Sequence, residues 1–172
     1  PPSGAYVSPE QWHALYAQGI VIKDLRHKIF TQSLHPPPAG ASQIHSFGSQ
    51  LDMQISTDNG LTFQAVRVPS TVQVRVENVG SGVSGMFDAE MQFLSFNIPV
   101  GGLPQGVMVR ESPTEPSRGE VQMDAQADGT YRISSFFDIF TEVSLDGGGP
   151  GGTWSPATNG PVRMQLQQVA PE

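Results

Sequence analysis

Three kinds of residue in this 172-residue chain have the types and spacing to do chemistry: paired carboxylates, histidines and a glycine-rich run. The carboxylates fall as Asp88-Ala89-Glu90, Asp138 with Glu142, and Glu111 with Glu115. A glycoside hydrolase needs two such groups facing each other across a cleft, one of them with a raised pKa. Asp88 and Glu90, two apart on a strand, share one face, as do Asp138, Phe140 and Glu142; the pattern is that of the wetted face of a half-buried strand. His13, His27, His35 and His45 stand fourteen, eight and ten residues apart, unlike the close pairs of zinc sites, and there is no cysteine to help them. Gly80-Ser81-Gly82-Val83-Ser84-Gly85 matches G-x-G-x-x-G, but Met86-Phe87-Asp88 behind it does not open a helix, so no row of N–H groups awaits a pyrophosphate. No G-x-S-x-G elbow occurs. These residues predict no catalytic set, no metal and no cofactor. Calcium at an Asp-Gly turn is the one ion left open, without the D-x-D-x-D-G loop that would specify it.

Two segments nearly repeat each other: Ser56-Thr57-Asp58-Asn59-Gly60-Leu61-Thr62-Phe63, and Ser144-Leu145-Asp146-Gly147-Gly148 completed by Thr153-Trp154. Gly149-Pro150-Gly151-Gly152 stands in the second where the first has only Leu61. Downstream, Pro69 leads into Thr71–Val76 and Pro161 into Val162–Leu166, which predicts a duplicated strand-turn-strand unit. In each turn a glycine takes positive φ, an aspartate bonds backbone N–H groups and an aromatic ring tucks beneath the hairpin. Ser56, Asp58, Gly60, Phe63, Ser144, Asp146, Gly148 and Trp154 are therefore assigned as structural turn residues. The shared S-x-D-x-G-x-T-[F/W] resembles the Asp-box hairpin of sialidases and many secreted β-proteins. In sialidases that box lies away from the catalytic centre, so the resemblance implies fold and export rather than activity.

Nineteen glycines and fifteen prolines, with no helical periodicity over most of the chain, favour short strands joined by turns, at a length suited to one domain. Without cysteine there is no disulfide frame. No apolar run approaches a membrane span, and the start at Pro1-Pro2-Ser3 suggests a processed N-terminus. The net charge of −7 is uneven: residues 1–50 hold three basic side chains against two carboxylates, and residues 51–172 hold six arginines against fourteen. An acidic body argues against nucleic acid as a partner.

Ser8-Pro9-Glu10-Gln11 reads as a capping box with Pro at the first helical position and Gly19 as the stop, predicting a short helix over 9–18 that presents Trp12, Leu15 and Tyr16. An extended run from Ile20 to Phe30 follows, then Pro36-Pro37-Pro38. Residues 1–42 thus read as an N-terminal helix and arm, ahead of a body over 43–172. Strands are expected near 43–56, 62–68, 71–79, 86–98, 106–111, 119–126, 130–144 and 161–169. The spacing predicts an all-β fold, an antiparallel sandwich of two related halves.

The motifs Phe87-Asp88-Ala89-Glu90-Met91, Val109-Arg110-Glu111-Ser112-Pro113-Thr114 and Ser135–Gly148 followed by Trp154 resemble a family of uncharacterised secreted bacterial proteins, some ending in a Pro-Glu-Pro sorting tail. The likeness covers most of 43–169 and implies export and a β-rich fold, with no activity attached. The expected function is an extracellular structural protein that assembles with itself into a surface filament or layer. Ile20, Ile22, Lys23, Leu25, Arg26, Lys28 and Ile29 are the candidate subunit interface, as a strand added to a neighbouring sheet edge. The same run reads equally as the first strand of its own domain. A second reading is a carbohydrate-binding or adhesive module using Trp154 and the Gly149–Gly152 loop for glycans. A third is a hydrolase built on the strand carboxylates.

Overall fold

A computed structural model describes residues 4–28, 35–81, 85–129 and 131–168. Ile29, Phe30, part of the Gly80–Gly85 run and the C-terminal Val169–Glu172 lie outside the described residues. Among the described residues the alternating segments form twelve strands: β1 (Gly4–Val7), β2 (His13–Leu15), β3 (Val21–Lys28), β4 (Ser42–Ser56), β5 (Gln64–Asn78), β6 (Gly85–Val100), β7 (Leu103–Glu111), β8 (Ser117–Ala125), β9 (Tyr131–Ile139), β10 (Thr141–Ser144), β11 (Ser155–Pro156) and β12 (Val162–Gln168). All their pairings are antiparallel.

The fold is a closed eight-stranded barrel with extra strands, not the expected sandwich. Around the ring the order is β6-β5-β4-β3-β1-β12-β9-β8, and β8 returns to β6. Alternation of buried and exposed residues is the same in a sandwich and in a barrel; closure is decided by which strand β8 pairs with. Gly85–Met91 of β6 pairs with Met123–Ser117 of β8, while Ser95–Val100 of the same strand pairs with β7. The wall therefore forks halfway along β6. On the far side of the fork β9 pairs with β8 and β10 with β7, the two separated by the single residue Phe140. Inside lies one core, centred on Ile22, Leu51, Met53, Val72, Phe96, Ile98, Val107, Val109 and Met164.

No α-helix forms over 9–18. Ser8 does not cap: its N–H donates to the Leu25 carbonyl and its Oγ accepts from the Leu25 N–H, both at 3.0 Å. A turn from Pro9 to Trp12 feeds β2, which pairs Ala14 with Ile22. Trp12 and Tyr16 stand four apart, a spacing that satisfies a helix and a strand alike. Ala14, at 2 % exposure, settles the period at two. The expected boundary at 42/43 falls one residue inside β4, which is hydrogen-bonded to β3 in the wall.

The arm's candidate interface residues occupy the same barrel. Ile20 and Ile22 are 1 % exposed in the core, Leu25 packs against it, and Arg26 is exposed. Apolar residues on both parities of this run, Ile20 and Ile22 on one and Leu25 on the other, are accommodated by a bulge. Asp24 takes φ +52°, the register against β4 shifts between Lys23 and Arg26, and Leu25 and His27 turn to the interior where Ile22 left off.

Candidate functional site

Both repeated turns are organised by a serine and an aspartate. In the first, Ser56 Oγ donates to Asp58 Oδ1 at 2.6 Å and accepts from the Gly60 N–H at 2.9 Å. Asp58 also accepts from the Thr62 N–H (2.9 Å) and hydroxyl (2.6 Å). In the second, Ser144 Oγ donates to Asp146 Oδ1 at 2.5 Å, and Asp146 accepts from the N–H groups of Gly148 (3.3 Å) and Thr153 (2.8 Å). These hydrogen bonds stabilise the charged carboxylates. The serine hydroxyl is the leading cause in each turn, and both aspartates are held down at about 2. The turns consume the donors they gather, so the arrangement binds its own backbone.

Each turn also delivers its aromatic ring to a cation from another strand. Lys23 Nζ lies 4.0 Å from the Phe63 ring centroid, and the Arg110 guanidinium lies 3.9 Å from that of Trp154. A Cβ placed on Gly148 would stand 2.4 Å from Trp154 Cζ2. Trp154 is thus stacked by arginine and packed on a glycine, and is not presented as a sugar platform beside Gly149–Gly152.

Arg110 leads from this turn into the fork. Its Nε and Nη2 both donate to Glu142 Oε2, at 3.0 and 2.8 Å, and Ser112 Oγ donates to Oε1 at 3.3 Å. The Ser112 N–H donates to the Phe140 carbonyl at 2.8 Å, and the Phe140 N–H to Ser117 Oγ at 3.0 Å. The Arg110–Thr114 segment and the Ser135–Gly148 segment therefore meet where the wall splits, clamping the one residue between β9 and β10. Glu111 sits here too. Burial raises its pKa, hydrogen bonds from Ser117 oppose that, and the nearby charges of Glu90 and Glu142 add to it. The structure brings Glu111 to Ser117, Glu90 and Glu142, and does not bring it to Glu115.

The remaining candidates scatter. Asp138 accepts from Arg163 at 2.6 and 2.8 Å, and Arg163 covers the Phe136 ring at 4.3 Å. Asp88 faces solvent opposite Glu77 and Glu120, without a cleft between them. Of the histidines, His13 and His35 are exposed, and His45 is half-buried with Gln43 at 3.3 Å. Among the described residues no group of three or more His, Asp or Glu is arranged to hold a metal ion.

One buried polar chain escaped sequence reasoning. His27 Nε2 meets Ser49 Oγ, which lies 2.6 Å from Ser70 Oγ, and all three residues are under 10 % exposed. Burial pushes His27 down to about 4. A neighbouring pair, Tyr16 Oη and Thr141 Oγ1 at 2.6 Å, is also buried, and burial pushes Tyr16 up to about 12. Both flank an internal cavity of ≈ 20 Å³ lined mainly by apolar side chains, among them Leu51, Phe96 and Val109. That volume is about one water. The Ser-His contact lies inside the barrel wall rather than on its surface. The only signal for it in sequence is a serine on the inward parity of each of two paired strands.

Comparison with family models, curated proteins and solved structures gave no match to this chain.

Proposed function

We propose that this barrel is a structural building block of an exported surface assembly, acting through its outer wall and carrying no chemistry in its interior. The observation that carries this reading is a closed wall around a filled core. Among the described residues, the cavity lined by Leu51, Phe96 and Val109 has ≈ 20 Å³ and admits about one water, far below the several hundred Å³ of an ordinary ligand site. Several of the wall's charged side chains pair with one another, as in Arg110–Glu142, Arg163–Asp138 and Lys28–Asp52–Arg67.

The same geometry changes how self-assembly would work. Strand addition needs an open edge. Here β2 is covered by the 158–159 loop: the Asn159 carboxamide accepts from the Leu15 N–H at 3.0 Å and donates to the His13 carbonyl at 2.5 Å. Two-residue β11, which pairs only with β10 among the described residues, carries Pro156. Ser42–Ser49 of β4 pairs only with β5 among the described residues, so assembly is assigned to the faces of the barrel and to that half-edge, with the export reading resting on the sequence resemblance. Sedimentation velocity across a hundredfold concentration range, with electron microscopy of the same samples, tests it. Growth into regular oligomers or filaments is expected; a monomer at every concentration and no particles on the grid would reject self-assembly.

A further inference from the structure

Phe93 is a large aromatic side chain on the outside of the barrel, 45 % exposed, and a bulge puts it there. Along β6, Phe87, Ala89 and Met91 point inward at every second residue, a rhythm that would send Phe93 inward next. The register against β5 instead slips at Gln73/Val74, with Gln92 as the added residue. Gln92 and Phe93 both face solvent, and Leu94, Phe96 and Ile98 resume the core. The bulge lies where β6 changes partner from β8 to β7, and it turns an aromatic ring to water while the core stays intact.

The nearest cross-strand neighbours of Phe93 are uncharged and polar, and exposed Ile44 stands at the edge of the strip two residues from Ser46. The cross-strand partner of Phe93 is Gln73, which pairs in turn with Ser46; the next rung is Gly48, Thr71 and Ser95. Ser46, Thr71, Gln73 and Gln92 are all exposed. The charges bordering this strip satisfy one another: Arg75 with Glu77 at 2.9 Å below, Arg67 with Asp52 at 2.8 Å above. Arg110, beside Ser95, is taken up by Glu142 and Trp154.

We propose that this strip binds a neutral polysaccharide, with Phe93 stacked on the C–H face of one sugar ring and Gln73, Ser46, Thr71 and Gln92 exchanging hydrogen bonds with its hydroxyls. The glutamine amides carry both donors and acceptors, as sugar hydroxyls do. An ionic ligand would find no free charge on the strip, and an anionic one would meet a chain of net charge −7. Size decides against a second copy of the chain. Three strands ~4.8 Å apart and about five residues at ~3.3 Å cover on the order of 200 Å². A stable protein interface needs about 800 Å² from each partner. The strip holds a short stretch of an extended polymer. This binding is independent of self-assembly, which uses no sugar.

Native electrophoresis in gels containing a soluble β-1,3-glucan, hydroxyethylcellulose, galactomannan or α-mannan, with alginate as the anionic control, tests the proposal. The expected result is retardation by at least one neutral glycan and none by alginate. Phe93→Ala should weaken that binding tenfold or more, Gln73→Ala severalfold, and Phe93→Tyr should retain it. The melting temperatures should stay level, since the altered side chains lie outside the core. Retardation by none of the four neutral glycans, equal retardation of Phe93→Ala, or preferential retardation by alginate would overturn it. Concentration-dependent self-association abolished by Phe93→Ala would overturn it too, giving the strip to a second copy.

Discussion

The turns at 56–63 and 144–154 share their hydrogen bonds and their stacked rings, yet their hairpins do different work. The first crowns an uninterrupted ladder from Ile55↔Gln64 to Ser42↔Glu77. The second crowns two pairs only, Val143↔Ser155 and Glu142↔Pro156, before the ladder resumes at Ile139↔Val162. One side advances three residues across that gap and the other six. The longer side holds Asn159, which seals β2, while Phe140 on the shorter side is clamped at the fork. A turn motif sets the geometry of a few residues; the ladder beneath it decides whether the hairpin supports itself or opens to close the barrel. The second turn accordingly leans on tertiary contacts that the first does not need.

The largest expected difference between them lies in their glycines. Gly148 combines φ +59° with the close approach to Trp154, whereas Gly60 has φ +83° and nothing nearer than Phe63 at 3.7 Å. Gly148→Ala should cost about 3 kcal/mol, from left-handed strain and overpacking together, and Gly60→Ala about 1 kcal/mol from strain alone. Denaturant unfolding measures both. Equal losses would mean that the second turn is no more dependent on its ring than the first.

Acid should weaken the first hairpin before the second, because only its buried polar chain contains a histidine. With His27 at about 4 folded and 6.5 unfolded, the unfolded chain binds the extra proton between those values. Stability is therefore fully present above 6.5 and falls as pH drops to 4, by about 3 kcal/mol. Unfolding of His27→Gln against pH should lack this segment of the slope. The two turn aspartates act in a lower window: their contribution is present above the ordinary 3.8 and is lost as pH falls toward 2. Asp58→Asn and Asp146→Asn should flatten that second segment alike. A wild-type profile level from pH 7 to 4 would rule out the neutral, buried His27.

The smallest effect concerns the stacked cations. Arg110→Gln removes the stack on Trp154 together with two hydrogen bonds to Glu142, and should cost about 1–2 kcal/mol. Lys23→Gln removes a stack alone and should cost about 0.5 kcal/mol. A double variant of Arg110 and Glu142 that shows no coupling would take the fork's ion pair out of this account.

Strand content was readable because one-sided burial imposes a period of two on the residues: Leu51, Met53, Ile55 and Val72, Val74 announce their strands wherever those strands end up. The turns were readable because positive φ and unmet N–H groups demand Gly, Asp and Ser at fixed offsets, and these demands are met within a dozen residues. Trp12 and Tyr16 suggest a helix because their spacing serves both periods, and Ala14 is too small to announce the strand. The fork, the Arg110–Glu142 clamp, the His27–Ser49–Ser70 chain and the outward turn of Phe93 were not readable. Each joins or reorients residues through the register of strands distant in sequence. Register between distant strands depends on the packing of the whole ring: local propensity specifies an alternating strand equally well in a sandwich or a barrel, and only closure of β8 onto β6 chooses.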